Sequence, residues 1–74
     1  MYNIIKRRIE QYIIEKGKRC KIENVEEAKT IISLQELMTC QERDELNCAT
    51  NGLSTKLFNN AQYLIYWNNK NEKI

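Results

Sequence analysis

Proline is absent from this chain of 74 residues, and glycine occurs only at positions 17 and 52. Because these two residue types are the strongest local breakers of regular backbone structure, the chain has few places where a helix must stop. We find no period-two pattern of the kind that predicts a β-strand. The sequence therefore predicts an all-α fold in one domain, residues 1–74, with helix joints near Gly17 and Gly52.

The first helix is predicted from about residue 2 to residue 16. Its apolar residues recur on one side at helical spacing, and Gly17 supplies the left-handed residue that commonly closes a helix. Ile14 falls on the polar side. The side predicted to be buried consists of Ile4, Ile5, Ile9, Tyr12 and Ile13.

A second helix is predicted over residues 24–38 and a third over residues 40–51. Asn24 with Glu27, and Thr39 with Glu42, have the spacing of a capping box, in which side chains satisfy the free N–H groups of a helix start. The second helix has a broad apolar sector, which favours a central position. This sector consists of Val25, Ala28, Ile31, Ile32, Leu34 and Met38.

The third helix has a thin apolar stripe, Leu46, Ala49 and Leu53, that continues in phase into the next segment. Two alternatives follow. In the first, Asn51 and Gly52 end the third helix and Ser54 caps a fourth helix over residues 54–69. In the second, one long helix accepts Gly52 at a cost of about 1 kcal/mol. We favour four short helices over three, because the unbroken helix would be about 45 Å long and half of it would lack a partner. The tail, residues 70–74, is expected to fray.

The composition argues against catalysis. Histidine is absent, which excludes imidazole bases and all histidine-containing zinc sites. The cysteines, Cys20, Cys40 and Cys48, form no CxxC pair, and we expect each of them to be a small buried or half-buried side chain. We therefore expect no enzyme activity, no cofactor and no metal site.

The same features predict a cytoplasmic protein. An odd number of unpaired cysteines is typical of a reducing compartment. The apolar run over residues 63–67 is much shorter than the roughly 20 residues of a membrane span. The charged N-terminal residues are not followed by the apolar region of a signal peptide. We expect no contact with a membrane.

The predicted last helix has two apolar sides. Leu57, Phe58, Ala61, Leu64 and Ile65 form its core side. The opposite side carries aromatic rings where a surface helix normally has charged or short polar residues, and tyrosine and tryptophan often supply the binding energy of interfaces. Its residues, Lys56, Asn59, Tyr63, Tyr66, Trp67 and Lys70, are our predicted protein-binding surface. In the alternative interpretation, the first helix or a second copy of the chain, as a homodimer, covers these rings.

Charge is distributed unevenly behind a net charge of +2. Residues 1–21 are strongly basic, whereas residues 22–49 carry seven acidic and two basic side chains. Internal pairing of these segments is one interpretation; binding of the basic segment to nucleic acid is the other. The candidate nucleic-acid residues are Lys6, Arg7, Arg8, Lys16, Lys18, Arg19 and Lys21.

The sequence thus indicates a small non-enzymatic interaction module. We expect a regulator or inhibitor that binds a larger bacterial or phage-targeted protein complex; abundant Asn, Lys and Ile fit such a source. The alternative function is a nucleic-acid-associated transcription modulator that uses the basic N-terminal third. A protein partner is favoured because glutamates interrupt each basic cluster, which does not suit the phosphates of a duplex.

Overall fold

The computed structural model describes residues 2–72, with the backbone alone at residue 72. This part of the chain contains four α-helices and no strand, so the predicted all-α fold of four helices is confirmed. A short 3-10 turn, Gly17–Arg19, follows the first helix. The helices are α1 (Tyr2–Lys16), α2 (Val25–Glu36), α3 (Cys40–Ala49) and α4 (Leu53–Glu72).

Local signals fix the starts of α2 and α3. The Asn24 side chain accepts a hydrogen bond of 2.8 Å from the Glu27 N–H at the start of α2. Thr39 and Glu42 form the complete predicted capping box at the start of α3, with bonds of 3.1 and 2.9 Å. Gly17 has the left-handed backbone expected at the end of α1, with φ at +64°. The side-chain hydrogen bonds at the starts of α2 and α3 satisfy N–H groups that a helix start would otherwise leave without a partner.

The chain breaks between α3 and α4, as favoured over one continuous helix. Asn51 and Gly52 both have positive φ angles, 56° and 84°, and this left-handed pair ends α3. Our prediction that Ser54 caps α4 is wrong. Two side chains at the end of α3 bind the free N–H groups instead. Oγ1 of Thr50, the residue that follows α3, accepts from Ser54 N at 3.1 Å, and Asn47 Oδ1 accepts from Thr55 N at 3.2 Å.

The observed ends of α2, α3 and α4 differ from the predicted ends by two or three residues. The helix α2 ends two residues earlier than predicted, and α3 also ends two residues earlier. The predicted fraying of residues 70–74 is wrong for residues 70–72, which continue α4. Residues 73 and 74 lie outside the described part of the chain.

The core lies between α4 and the other helices, and α4 packs most extensively against α2. Residues from every helix and from the connection after α1 contribute to it. Leu57, Phe58 and Ala61 are buried, with Leu64 and Ile65 packed against them, so the predicted core side of α4 is confirmed. The other buried apolar residues are Ile5, Ile9, Ile13, Cys20, Ile22, Ala28, Ile31, Leu34, Met38 and Leu46.

Two residues of the predicted apolar helix sides are exposed. Ile4 is 65% exposed, because α1 buries only the narrow stripe at every fourth residue, Ile5, Ile9 and Ile13. Ala49 is exposed because α3 contributes a single fully buried residue, Leu46. Periodicity locates the apolar side of a helix, but the number of neighbouring helices decides how much of that side is covered.

Candidate functional site

The connection between α1 and α2 presents two cations to solvent by alternating its side chains. Cys20 and Ile22 are buried, whereas Arg19 and Lys21 are exposed. Cys20 has a left-handed backbone, with φ at +47°, and its N–H donates to the Gly17 carbonyl at 3.2 Å. The two buried side chains therefore hold the connection against the core while the two cations point outward.

Two side chains of α4 hold this connection from the other side. Asn60 Nδ2 donates to the carbonyl oxygens of Arg19, at 3.3 Å, and of Cys20, at 2.9 Å. One turn earlier, Lys56 Nζ donates to the Lys18 carbonyl at 3.0 Å. These bonds join residues about 40 positions apart and fix where the connection lies along α4.

The next two turns of the same stripe of α4 carry aromatic rings. Trp67 meets Tyr63 and Tyr66 edge to face, with ring centroids 5.8 and 6.2 Å apart. Lys70 Nζ lies 5.0 Å from the centroid of the Trp67 ring, a cation–π contact. The rings thus form one ordered group along the C-terminal half of α4.

The connection and the aromatic rings border a solvent-open cleft with a volume of about 460 Å³. Ile22 and Leu64 contribute apolar surface and Asn60 contributes its amide; Arg19 and Lys21 lie at the cleft with no carboxylate among the lining residues. We name this site the aromatic–basic cleft. Its lining residues are Arg19, Lys21, Ile22, Asn60, Tyr63, Leu64 and Trp67.

The predicted protein-binding residues differ in exposure and in the contacts that they make. Tyr63 and Tyr66 are 63% and 59% exposed, and Trp67 is 38% exposed. The alternative that α1 covers these rings is therefore wrong for the single chain. Lys56 is engaged with the connection, and Asn59 is exposed on α4.

The predicted nucleic-acid residues do not act as one group. Lys16 pairs with Glu27 of α2 at 3.1 Å, an example of the internal pairing considered above, and this bond raises the pKa of the lysine. Lys6 and Arg7 line a separate cleft with Glu10, and Lys6 lies 3.9 Å from that carboxylate. Arg8 and Lys18 are exposed. Arg19 and Lys21 alone of the seven line the aromatic–basic cleft.

Sequence reasoning missed Asn60, Ile22 and Leu64 as residues of this site. Asn60 belongs to neither of the two predicted sides of α4, and its role depends on what α4 packs against. The short alternation of exposed and buried residues over positions 19–23 was the one local signal for the connection, but it is too short to predict a strand.

The cysteines take two different environments. Cys20 is fully buried, and burial raises the pKa of its thiol. Cys40 and Cys48 are exposed, so our expectation of buried or half-buried side chains is wrong for these two. Among the side chains of residues 2–71, no group of three or more His, Cys, Asp or Glu is arranged to hold a metal ion.

None of the helices in the described part of the chain is both long and apolar enough to cross a bilayer. No family model matches this chain, and neither a curated protein nor a solved structure shows significant similarity to it.

Proposed function

We propose that this chain is a small non-enzymatic protein-interaction module, a regulator or inhibitor that binds a larger bacterial or phage-targeted protein complex. One observation carries the proposal: two tyrosines remain largely exposed on α4 beside Trp67, although the helix has already buried its other side. Aromatic residues held on a rigid helix are typical anchors of protein interfaces, because little side-chain entropy is lost on binding.

The nucleic-acid alternative has less support. Binding to a duplex needs several cations on one surface, yet the seven candidate residues are divided among an internal ion pair, two clefts and isolated positions. The homodimer alternative uses the same exposed rings, and sedimentation at several protein concentrations distinguishes it from a monomer that binds another protein.

The test is capture of partners from a bacterial lysate by the full chain. Tyr63→Ala with Tyr66→Ala removes the two most exposed rings. Ile14→Ala with Leu37→Ala is the matched control, because it removes similarly exposed apolar side chains elsewhere on the molecule. We expect wild type and control to retain the same protein, and the tyrosine variant to retain at least tenfold less. Equal retention by the tyrosine variant would contradict the proposal, as would retention that nuclease treatment abolishes.

A further inference from the structure

We propose that the aromatic–basic cleft binds an acidic polypeptide segment that carries a large apolar side chain. This inference rests on the proposed function, and it specifies the chemistry of the partner. The cleft combines two surfaces that sequence reasoning had assigned to different functions, since Arg19 and Lys21 lie beside Tyr63 and Trp67.

The apolar part of the site calls for an apolar side chain. Ile22 and Leu64 lie at the cleft between the connection and α4, and Tyr63 and Trp67 bound it on the side of the rings. The volume, about 460 Å³, is within the range of sites that accept a group of atoms rather than a single water. An apolar side chain placed there would bury this surface and the rings at the same time.

The charged part calls for an anion. Arg19 and Lys21 are exposed at the cleft, and Lys70 lies over the Trp67 ring. No carboxylate lines the site to neutralise them. A segment with acidic residues on both sides of its apolar anchor would complement these cations, and such complementarity sets orientation and association rate at interfaces.

The site is also ordered before any partner arrives. The amide of Asn60 is committed to the carbonyl oxygens of Arg19 and Cys20, and Cys20 is itself buried in the core. The backbone that bears the two cations is therefore fixed relative to the rings. A site held in this way loses less conformational freedom on binding than a mobile loop would.

A polypeptide fits this geometry better than unpaired bases. Stacking needs open ring faces, but Lys70 lies over the Trp67 ring and both tyrosines contact that ring in T-shaped arrangements. Tyr66 contacts Trp67 from outside the cleft lining, so the aromatic surface continues along α4. An occupant that uses both the cleft and this continuation is an extended chain.

The probe experiment uses Trp67, the only tryptophan of the chain, as a reporter inside the site. The ligand is a short synthetic peptide without tyrosine or tryptophan, with a central Leu-Phe pair flanked by Glu and Asp. One comparison peptide has Lys at each acidic position, and another has Ser in place of Leu-Phe. Oligo(dT) is the nucleic-acid comparison. We expect saturable change of Trp67 emission with the acidic Leu-Phe peptide alone, and weakening of its binding by added salt.

Charge reversal tests the cations. Arg19→Glu with Lys21→Glu should weaken binding of the acidic peptide at least tenfold. Arg7→Glu with Arg8→Glu changes the net charge equally at exposed positions of α1 and should leave binding within threefold of wild type. Circular dichroism checks that both variants fold. If Arg19→Glu with Lys21→Glu does not fold, Arg19→Gln with Lys21→Gln replaces it, and we expect this variant to bind the acidic peptide at an intermediate level.

Several results would overturn the inference: no emission change with the acidic peptide, equally tight binding of the Lys peptide, equal losses in the two reversal variants, or tighter binding of oligo(dT). Lysate capture separates this failure from failure of the proposed function. If Arg19→Glu with Lys21→Glu keeps the captured partner while the tyrosine variant loses it, the module binds a protein without an acidic segment. If the tyrosine variant keeps the partner, the proposed function itself fails.

Discussion

Replacing Asn60 with alanine removes the two hydrogen bonds that fix the connection to α4. The amide donates to the carbonyl oxygens of Arg19 and Cys20 at 3.3 and 2.9 Å. A hydrogen bond of this kind contributes a net ~0.5–1.5 kcal/mol, and a buried carbonyl left without a partner raises that cost. The loss of both bonds should therefore cost about 1–3 kcal/mol of unfolding free energy.

Asn59→Ala is the matched control. Asn59 is the preceding residue of α4 and is exposed, whereas Asn60 is half-buried. Both substitutions replace asparagine with alanine, the best helix former, inside the same helix. This change adds roughly 0.5–0.7 kcal/mol to the unfolding free energy of each variant. Because this gain is common to both variants, the difference between them isolates the two hydrogen bonds of Asn60.

Urea denaturation followed by circular dichroism measures this difference. We expect the unfolding free energy of Asn60→Ala to be about 1–3 kcal/mol lower than that of Asn59→Ala. For a domain of this size, each kcal/mol lowers Tm by roughly 4–8 °C. Equal midpoints for the two variants, within about 0.5 kcal/mol, would refute the argument that Asn60 holds the connection. Binding of the acidic peptide should also weaken in Asn60→Ala, because Arg19 loses its fixed position.

Two further predictions concern titratable groups. A thiol reagent should modify the two exposed cysteines, Cys40 and Cys48, in the native protein and reach Cys20 only on unfolding; rapid native modification of all three would contradict the burial of Cys20. Stability should also fall at alkaline pH. The folded-state pKa of Lys16 is raised by its bond to a carboxylate of α2, and that of Tyr2 is raised by burial and by nearby glutamates. The stability linked to both groups is present below their unfolded pKa values, about 10, and is lost as pH rises through the folded ones. Urea midpoints from pH 8 to 11.5 check this, and Lys16→Met should flatten part of the decline; no decline would contradict it.

Much of the fold was predictable because its signals are local. The helix joints carry local signals, which are the N-cap residues Asn24 and Thr39 and the glycines at positions 17 and 52. Each acts on the backbone within a few residues, so sequence alone located the joints. Ser54 shows the limit of such reasoning. Its hydroxyl is buried with no hydrogen-bond partner in the described structure, since the side chains of Thr50 and Asn47 bind the N–H groups at the start of α4.

The candidate site was predictable only in halves. The spacing of Tyr63, Tyr66 and Trp67 predicted an aromatic outer side of α4, and their observed exposure agrees with that. The basic residues were visible as a cluster in sequence, but the structure distributes them among different surfaces. Arg19 and Lys21 line one cleft with Tyr63 and Trp67 because α4 lies along the connection after α1.

The sequence by itself determined the all-α fold class and which side of α4 enters the core, because apolar periodicity acts over a few residues. It favoured four helices over three without deciding between them, and the structure supplied the break at Asn51 and Gly52. The tertiary structure alone decided which cations of the N-terminal third line the same cleft as the rings. That juxtaposition joins residues some 40 positions apart through the packing of α4 and the amide of Asn60, and no local pattern encodes a contact over that distance.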